Sequence, residues 1–295
     1  MDSEVHDHDG GLAEDLPRLL GRRRILGFIA GAGLVTIAAA CGGDDSSSSS
    51  SVDTTGTTAG GTGSTAASTA ATSTSTTSGA SSVATSGTCE VVPAETAGPF
   101  PGDGSNGKNV LDQSGVVRAD IRSSIGSASG VAEGVPMTIK LTVLDSADGC
   151  APLAGAAVYL WHCDRDGNYS MYSSAVASEN YLRGVQETDS TGTVTFTSIF
   201  PGCYAGRWPH IHYEVYPSVA KATASSSILH TSQIALPEAT CAEAYAADGY
   251  SKSVTNLKGV SLQRDNVFSD GWELQLASAT GSVSSGYTIA NTVSI

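Results

Sequence analysis

From Thr138 to Leu144 the chain reads Thr-Ile-Lys-Leu-Thr-Val-Leu, with Ile139, Leu141 and Val143 at every second position. Successive strand side chains point to opposite faces, so this alternation suits a half-buried strand and not a helix. The Asp148-Gly149 turn ends it, and Ala156 to Cys163 follows as a second run rich in Val, Tyr and Trp. Further runs are Thr193 to Phe196, His210 to Tyr216, Ile228 to Leu236, Trp272 to Leu276 and Tyr287 to Ile295. Short strands at this spacing, with glycine-rich turns, predict an all-β fold, an antiparallel β-sandwich with long loops. At most one or two short helices are expected. The clearest spans Pro237 to Ala247, where Pro237 and Glu238 suit a first turn.

The first 88 residues differ in kind. Arg22-Arg23-Arg24 precedes an apolar run from Ile25 to Ala40. That run is short for a membrane span and has the length of a signal-peptide core. The paired arginines suggest the twin-arginine route, which exports folded proteins. Ala38-Ala39-Ala40-Cys41-Gly42 resembles a bacterial lipobox, so Cys41 is the expected lipidation site. Residues 42–88 are dominated by Ser, Thr, Gly and Ala, which bury no core and predict a disordered linker. The expected organisation is a signal peptide over 1–41, a linker over 42–88 and a folded domain over 89–295. The protein would sit lipid-anchored on the outer face of a bacterial cytoplasmic membrane, or be secreted. A net charge of −14 with only 15 Lys and Arg argues against nucleic acid, and leaves the lipid anchor as the one membrane contact. The oligomeric state stays open, and a monomer is allowed.

Tyr204-Ala-Gly-Arg-Trp-Pro-His-Ile-His212 concentrates reactive side chains in nine residues. His210 and His212 are two apart on a strand, so their imidazoles share a face, opposite Ile211, Tyr213 and Val215. Pro201-Gly202-Cys203 is a turn signal that lets Tyr204 swing toward the same point. A second tyrosine, Tyr169, follows the Asp166-Gly167-Asn168 turn at the mouth of a strand. Tyr172 lies close by, but its spacing from Gly167 fits less well. Phenolate is a hard anionic oxygen donor, and imidazole accepts iron readily. Two phenolates and a hydroxide cancel the charge of Fe(III), so Tyr169, Tyr204, His210 and His212 make a candidate non-haem Fe(III) site. His162 and His230 read as structural or surface groups, and Trp161 as core.

In this order the segments resemble the intradiol ring-cleavage dioxygenases, the catechol and protocatechuate dioxygenase family. Pro93-Ala-Glu-Thr-Ala-Gly-Pro-Phe100 is similar to the family's entry segment, and Gly167-Asn168-Tyr169 to its Gly-x-Tyr. Pro201-Gly202-Cys203-Tyr204, Arg207-Trp-Pro-His-Ile-His212 and Thr231-Ser232-Gln233 continue the likeness. The resemblance implies axial ligands Tyr204 and His212, and equatorial ligands Tyr169 and His210. It implies that Tyr204 takes a substrate proton, Arg207 stabilises negative charge on the activated ring, and Gln233 helps orient that ring. A small aromatic diol and O2 would be the partners, and a muconate-type diacid the product. With Cys41, this reads as an exported lipoprotein branch of the family. The short segment between Tyr204 and Arg207 lies at the pocket wall and bears on substrate choice.

Five cysteines remain once Cys41 is set aside, and an exported protein permits disulfides. If Tyr169 and Tyr204 meet at one ion, Cys163 and Cys203 come within bridging range, so that pair is expected first and Cys150–Cys241 second. Two other classes compete. A non-catalytic cell-surface β-sandwich binding module needs none of the four ligands, Arg207 or Gln233. A zinc or copper hydrolase would use His210 and His212, but no recognisable zinc motif supplies a Glu base.

Overall fold

The computed structural model describes residues 89–295. The signal segment with Arg22, Arg23 and Cys41, and the linker over 42–88, lie outside the described residues. Two sheets face each other. The first holds β1 (Pro136–Asp145), β2 (Ala151–Pro152), β5 (Thr193–Ile199), β8 (Ser278–Ser282) and β9 (Gly286–Ser294). The second runs in the order β4 (Arg183–Glu187), β3 (Ala157–Trp161), β6 (His210–Tyr216) and β7 (His230–Ala235), antiparallel throughout. The all-β sandwich expected from the alternation is borne out, with one refinement. β1 and β9 pair parallel, from Met137 opposite Tyr287 to Leu144 opposite Ser294, so the first sheet is mixed.

Alternation builds the core. Ile139, Leu141 and Val143 of β1 are fully buried against Val158 and Leu160 of β3 and Ile211, Tyr213 and Val215 of β6. Each such side chain contributes roughly 1.5–3 kcal/mol of transfer free energy. The other face of the second sheet also needs cover. Tyr159, Trp161, Val185 and Tyr216 pack there beneath Val110, Leu111, Val116 and Tyr169. The loops leading into and out of the sandwich therefore form a second core, and the reactive side chains sit within it.

Several elements depart from expectation. Trp272 to Leu276 is not a strand: the Gln275 and Leu276 amides both turn back to the Trp272 carbonyl, and only Leu276 bridges to Ala235. The helix expected over 237–247 is shorter, α1 (Glu238–Ala244), and a second helix, α2 (Ser251–Leu257), follows it. β4 was unexpected because Arg-Gly-Val-Gln-Glu lacks a strand's alternation. Gly184 is required there, since an added Cβ would stand 2.5 Å from Ile121 Cγ2.

Both expected disulfides are overturned. Cys89 bonds Cys150, with Cα atoms 5.7 Å apart, while Cys163, Cys203 and Cys241 are free and buried. The sulfurs of the favoured pair are engaged elsewhere: Cys163 Sγ donates to the Gly202 carbonyl, and Cys203 Sγ faces the Arg207 carbonyl. Cys150 is already bonded, which removes it from Cys241.

Candidate metal centre

Period-two geometry sets the first pair of donors. His210 and His212 lie on the β6 face turned away from Ile211, Tyr213 and Val215, which fill the sandwich core. Both imidazoles are buried, with Nε2 atoms 3.1 Å apart. The Trp208 carbonyl can only accept, so His210 Nδ1 carries the proton it donates there, leaving the Nε2 lone pair free. His212 lies flat on Trp161, its cross-strand neighbour, with ring centroids 4.8 Å apart and planes within 6°. Burial, then the Arg207 charge, lowers the His210 pKa, and burial, then His210, lowers that of His212. Both rings are therefore held neutral, the state a ligand needs.

Two loops bring the tyrosines. Asp164 Oδ1 accepts from the Asp166 and Asn168 amides and shapes the turn that delivers Tyr169. Gly167 sits at φ +87°, and a Cβ there would stand 3.0 Å from Tyr204 Cβ, so the two loops touch at that glycine. Tyr169 Oη and Tyr204 Oη each lie 3.4 Å from His210 Nε2. The four polar atoms thus converge on one point. Burial, then Tyr204, pushes the Tyr169 phenol well above its usual pKa, and Arg207 pulls against that rise. Tyr172 is turned elsewhere, donating to Asn106 Oδ1 and accepting from the Gly102 amide.

Arg207 is buried beside this cluster. Its Nε donates to Asp265 Oδ2 at 3.0 Å and its Nη2 to Gln233 Oε1 at 2.7 Å. Burial alone would lower its pKa, but the charges of Tyr204 and Asp265 outweigh it and raise it. Gln233 sits opposite His212 in the β6–β7 ladder, and its Nε2 donates to the Thr96 carbonyl. Its amide is held by protein at both ends, so these bonds orient Arg207 and the entry segment. That segment roofs the site: Gly98, at φ +70°, puts its Cβ position 3.5 Å from His212 Cε1, and Phe100 packs on Tyr169 and Tyr172.

His162 is buried, bonded to the Cys163 carbonyl and Ser198 Oγ, and His230 is half-buried on β7, paired with Val215. Among the described residues, no group of three or more His, Cys, Asp or Glu is placed to hold a metal. The cluster is two histidines and two tyrosines instead. Asp265 escaped the sequence reading; a lone Asp in Arg-Asp-Asn-Val offers only an Asx-turn signal. An open cleft of about 560 Å³ is lined by residues that include Lys108, Gln113, Met171 and Glu179, and none of the four donors lines it.

A family model described as Dioxygenase matches residues 118–221, a span that contains Tyr169, Tyr204, Arg207, His210 and His212. The chlorocatechol 1,2-dioxygenase of Rhodococcus opacus is 40% identical over 53 residues, which is 18% of this chain and 21% of that protein. The chain thus matches about a fifth of that relative's length. An intradiol ring-cleavage dioxygenase from Tetranychus urticae shares the fold with a TM-score of 0.54 and 24% identity, over 70% of this chain and 95% of that one. The likeness to intradiol ring-cleavage dioxygenases read from the motifs is borne out, in sequence over the matched span and in fold over the described domain.

Proposed function

We propose that the protein is a non-haem Fe(III)-dependent intradiol dioxygenase. It would cleave catechol-type diols with O2 to muconate-type diacids. The convergence of Tyr169 Oη, Tyr204 Oη, His210 Nε2 and His212 Nε2 carries this reading. The donor set fits the ion. Neutral phenols and neutral imidazoles together carry no charge, and a hard trivalent cation stabilises the phenolate form of the tyrosines. Tyr169, Tyr204, His210 and His212 would hold the iron, which when bound would activate the diol toward O2.

The chain's own residues supply the rest. Tyr204 is only half-buried, so its phenolate oxygen can take a proton from an incoming diol hydroxyl. Arg207 is a fixed cation beside both tyrosines and stabilises negative charge on the bound ring. Gln233 holds Arg207 and draws the entry segment over the site, which limits water. The name of the chlorocatechol dioxygenase relative supports a catechol-type ring as substrate.

Metal analysis and visible absorption of purified protein test the reading. About one iron per chain and a phenolate charge-transfer band are expected, with Tyr169→Phe and Tyr204→Phe each altering the band. Colourless, zinc-loaded protein inert to catechols would contradict it. We also propose export through the Arg22-Arg23 signal and anchoring through Cys41. Cys41→Ala should release the protein from membranes, and unchanged retention would count against the anchor.

A further inference from the structure

Arg207 acts on charge only if its guanidinium is held in place, and the group that holds it lies outside every motif. Asp265 is buried on the C-terminal segment, 58 residues beyond Arg207. Its Oδ2 accepts from Arg207 Nε at 3.0 Å and from the Trp208 amide at 2.7 Å. Its Oδ1 accepts from the Val267 and Phe268 amides at 2.9 and 3.2 Å. Every bond is one that a carboxylate alone can accept at both oxygens. Burial opposes its charge, but Arg207 and the Trp208 amide hold its pKa below the usual range.

We propose that Asp265 is the positioning residue of the site, fixing Arg207 and the Arg207–Trp208 peptide as one unit. The unit extends further. The Trp208 carbonyl receives His210 Nδ1–H, so the residue pinned by Asp265 also orients a candidate ligand. On the other side, Arg207 Nη2 holds Gln233, and Gln233 holds Thr96. Asp265, Arg207, Gln233 and Thr96 thus form one chain of bonds from the C-terminal segment to the entry segment. A surface salt bridge contributes little, but a buried charge stripped of its partner is costly and moves. Loss of Asp265 therefore frees Arg207 to turn toward water.

The inference rests on the proposed dioxygenase reading for its kinetic arm, and a binding arm decides it separately. The full chain, loaded with iron, is compared as wild type, Asp265→Asn, Arg207→Ala and the double variant. Asp265→Ser is the second choice, because a serine hydroxyl keeps a cap for the Val267 and Phe268 amides without reaching Arg207. Iron content is expected to stay near wild type, because all four donors remain, while a small shift of the tyrosinate band reports the strain passed from Trp208 to His210. kcat on catechol should fall about 10- to 100-fold, with KM changing less. In the Arg207→Ala background the Asp265 change should cost under about twofold, since residues acting as one unit are not additive. Affinity for 4-nitrocatechol, read from its absorption, should weaken in the same pattern. Additive losses in the double variant, or wild-type behaviour of the single one, would overturn the positioning role. If wild-type protein binds 4-nitrocatechol but turns over no diol, the dioxygenase reading fails. The coupling between Asp265 and Arg207 in binding then still decides this inference.

Discussion

At the scale of single residues, Gly167 shows how tightly the two tyrosine loops are set. Its φ of +87° is a region that side chains resist, and a Cβ would press on Tyr204 Cβ at 3.0 Å. Gly167→Ala should cost about 1–3 kcal/mol of stability and shift the tyrosinate band, read by urea unfolding and visible absorption. A variant with wild-type stability and colour would show that the loops do not depend on this contact. His162 makes a pH prediction. Burial is the main cause that lowers its pKa to about 4, from a usual value of 6.5. The unfolded chain therefore binds this proton more readily than the folded one. The contribution is present above about pH 6.5 and is lost as pH falls through about 4. His162→Gln should remove on the order of 3 kcal/mol of that pH dependence between pH 7 and 4, measured as the slope of unfolding free energy. An unchanged slope would contradict the neutral, buried ring.

At the scale of elements, the Cys89–Cys150 bridge ties the start of the domain to the β1–β2 turn across 61 residues. Closing a loop of that length is worth about 4 kcal/mol in the chain-entropy view. The Cys89→Ser, Cys150→Ser double variant should lose about that much in urea unfolding. Mapping of unreduced peptides should recover the linked pair, with Cys163 and Cys203 as free thiols. A linked Cys163–Cys203 peptide would refute the arrangement. Strand β6 was legible because two histidines at period two need no partner to share a face. β1 was legible because its alternation is unbroken. β4 was not, because its signal lies in what Arg183 and Gly184 pack against: Arg183 bonds the Phe100 and Pro101 carbonyls, far away in sequence. The disulfide was missed for a similar reason. Cys pairing follows the spatial path of loops, and nothing local to Cys89 marks its approach to Cys150. Asp265 belongs with these: the Val267 and Phe268 amides are local turn partners, but Arg207 and the Trp208 amide become visible only once the C-terminal segment folds back on Trp208.

At the scale of the whole molecule, the sandwich is a rigid frame with a second core laid over one sheet. β6 gives one face to each core: Ile211, Tyr213 and Val215 to the first, His210 and His212 to the second. This division places two imidazoles in a dry site without weakening the sandwich. The entry segment, the two tyrosine loops and the C-terminal segment each add one wall or one donor. Such a site should require the whole described domain, so deleting residues 262–295 should abolish iron retention and not merely reduce it, as metal analysis would show. Retained iron in the truncated protein would place the site within the preceding segments alone. The central claim is that this frame directs oxygen between two adjacent hydroxyl-bearing carbons of an aromatic ring. The most direct measurement is the product formed from catechol in air by the iron-loaded protein, without reductant or added ferrous iron. The account predicts cis,cis-muconic acid, with one O2 consumed per ring. A semialdehyde from cleavage beside the hydroxyls, or a requirement for ferrous iron, would contradict it.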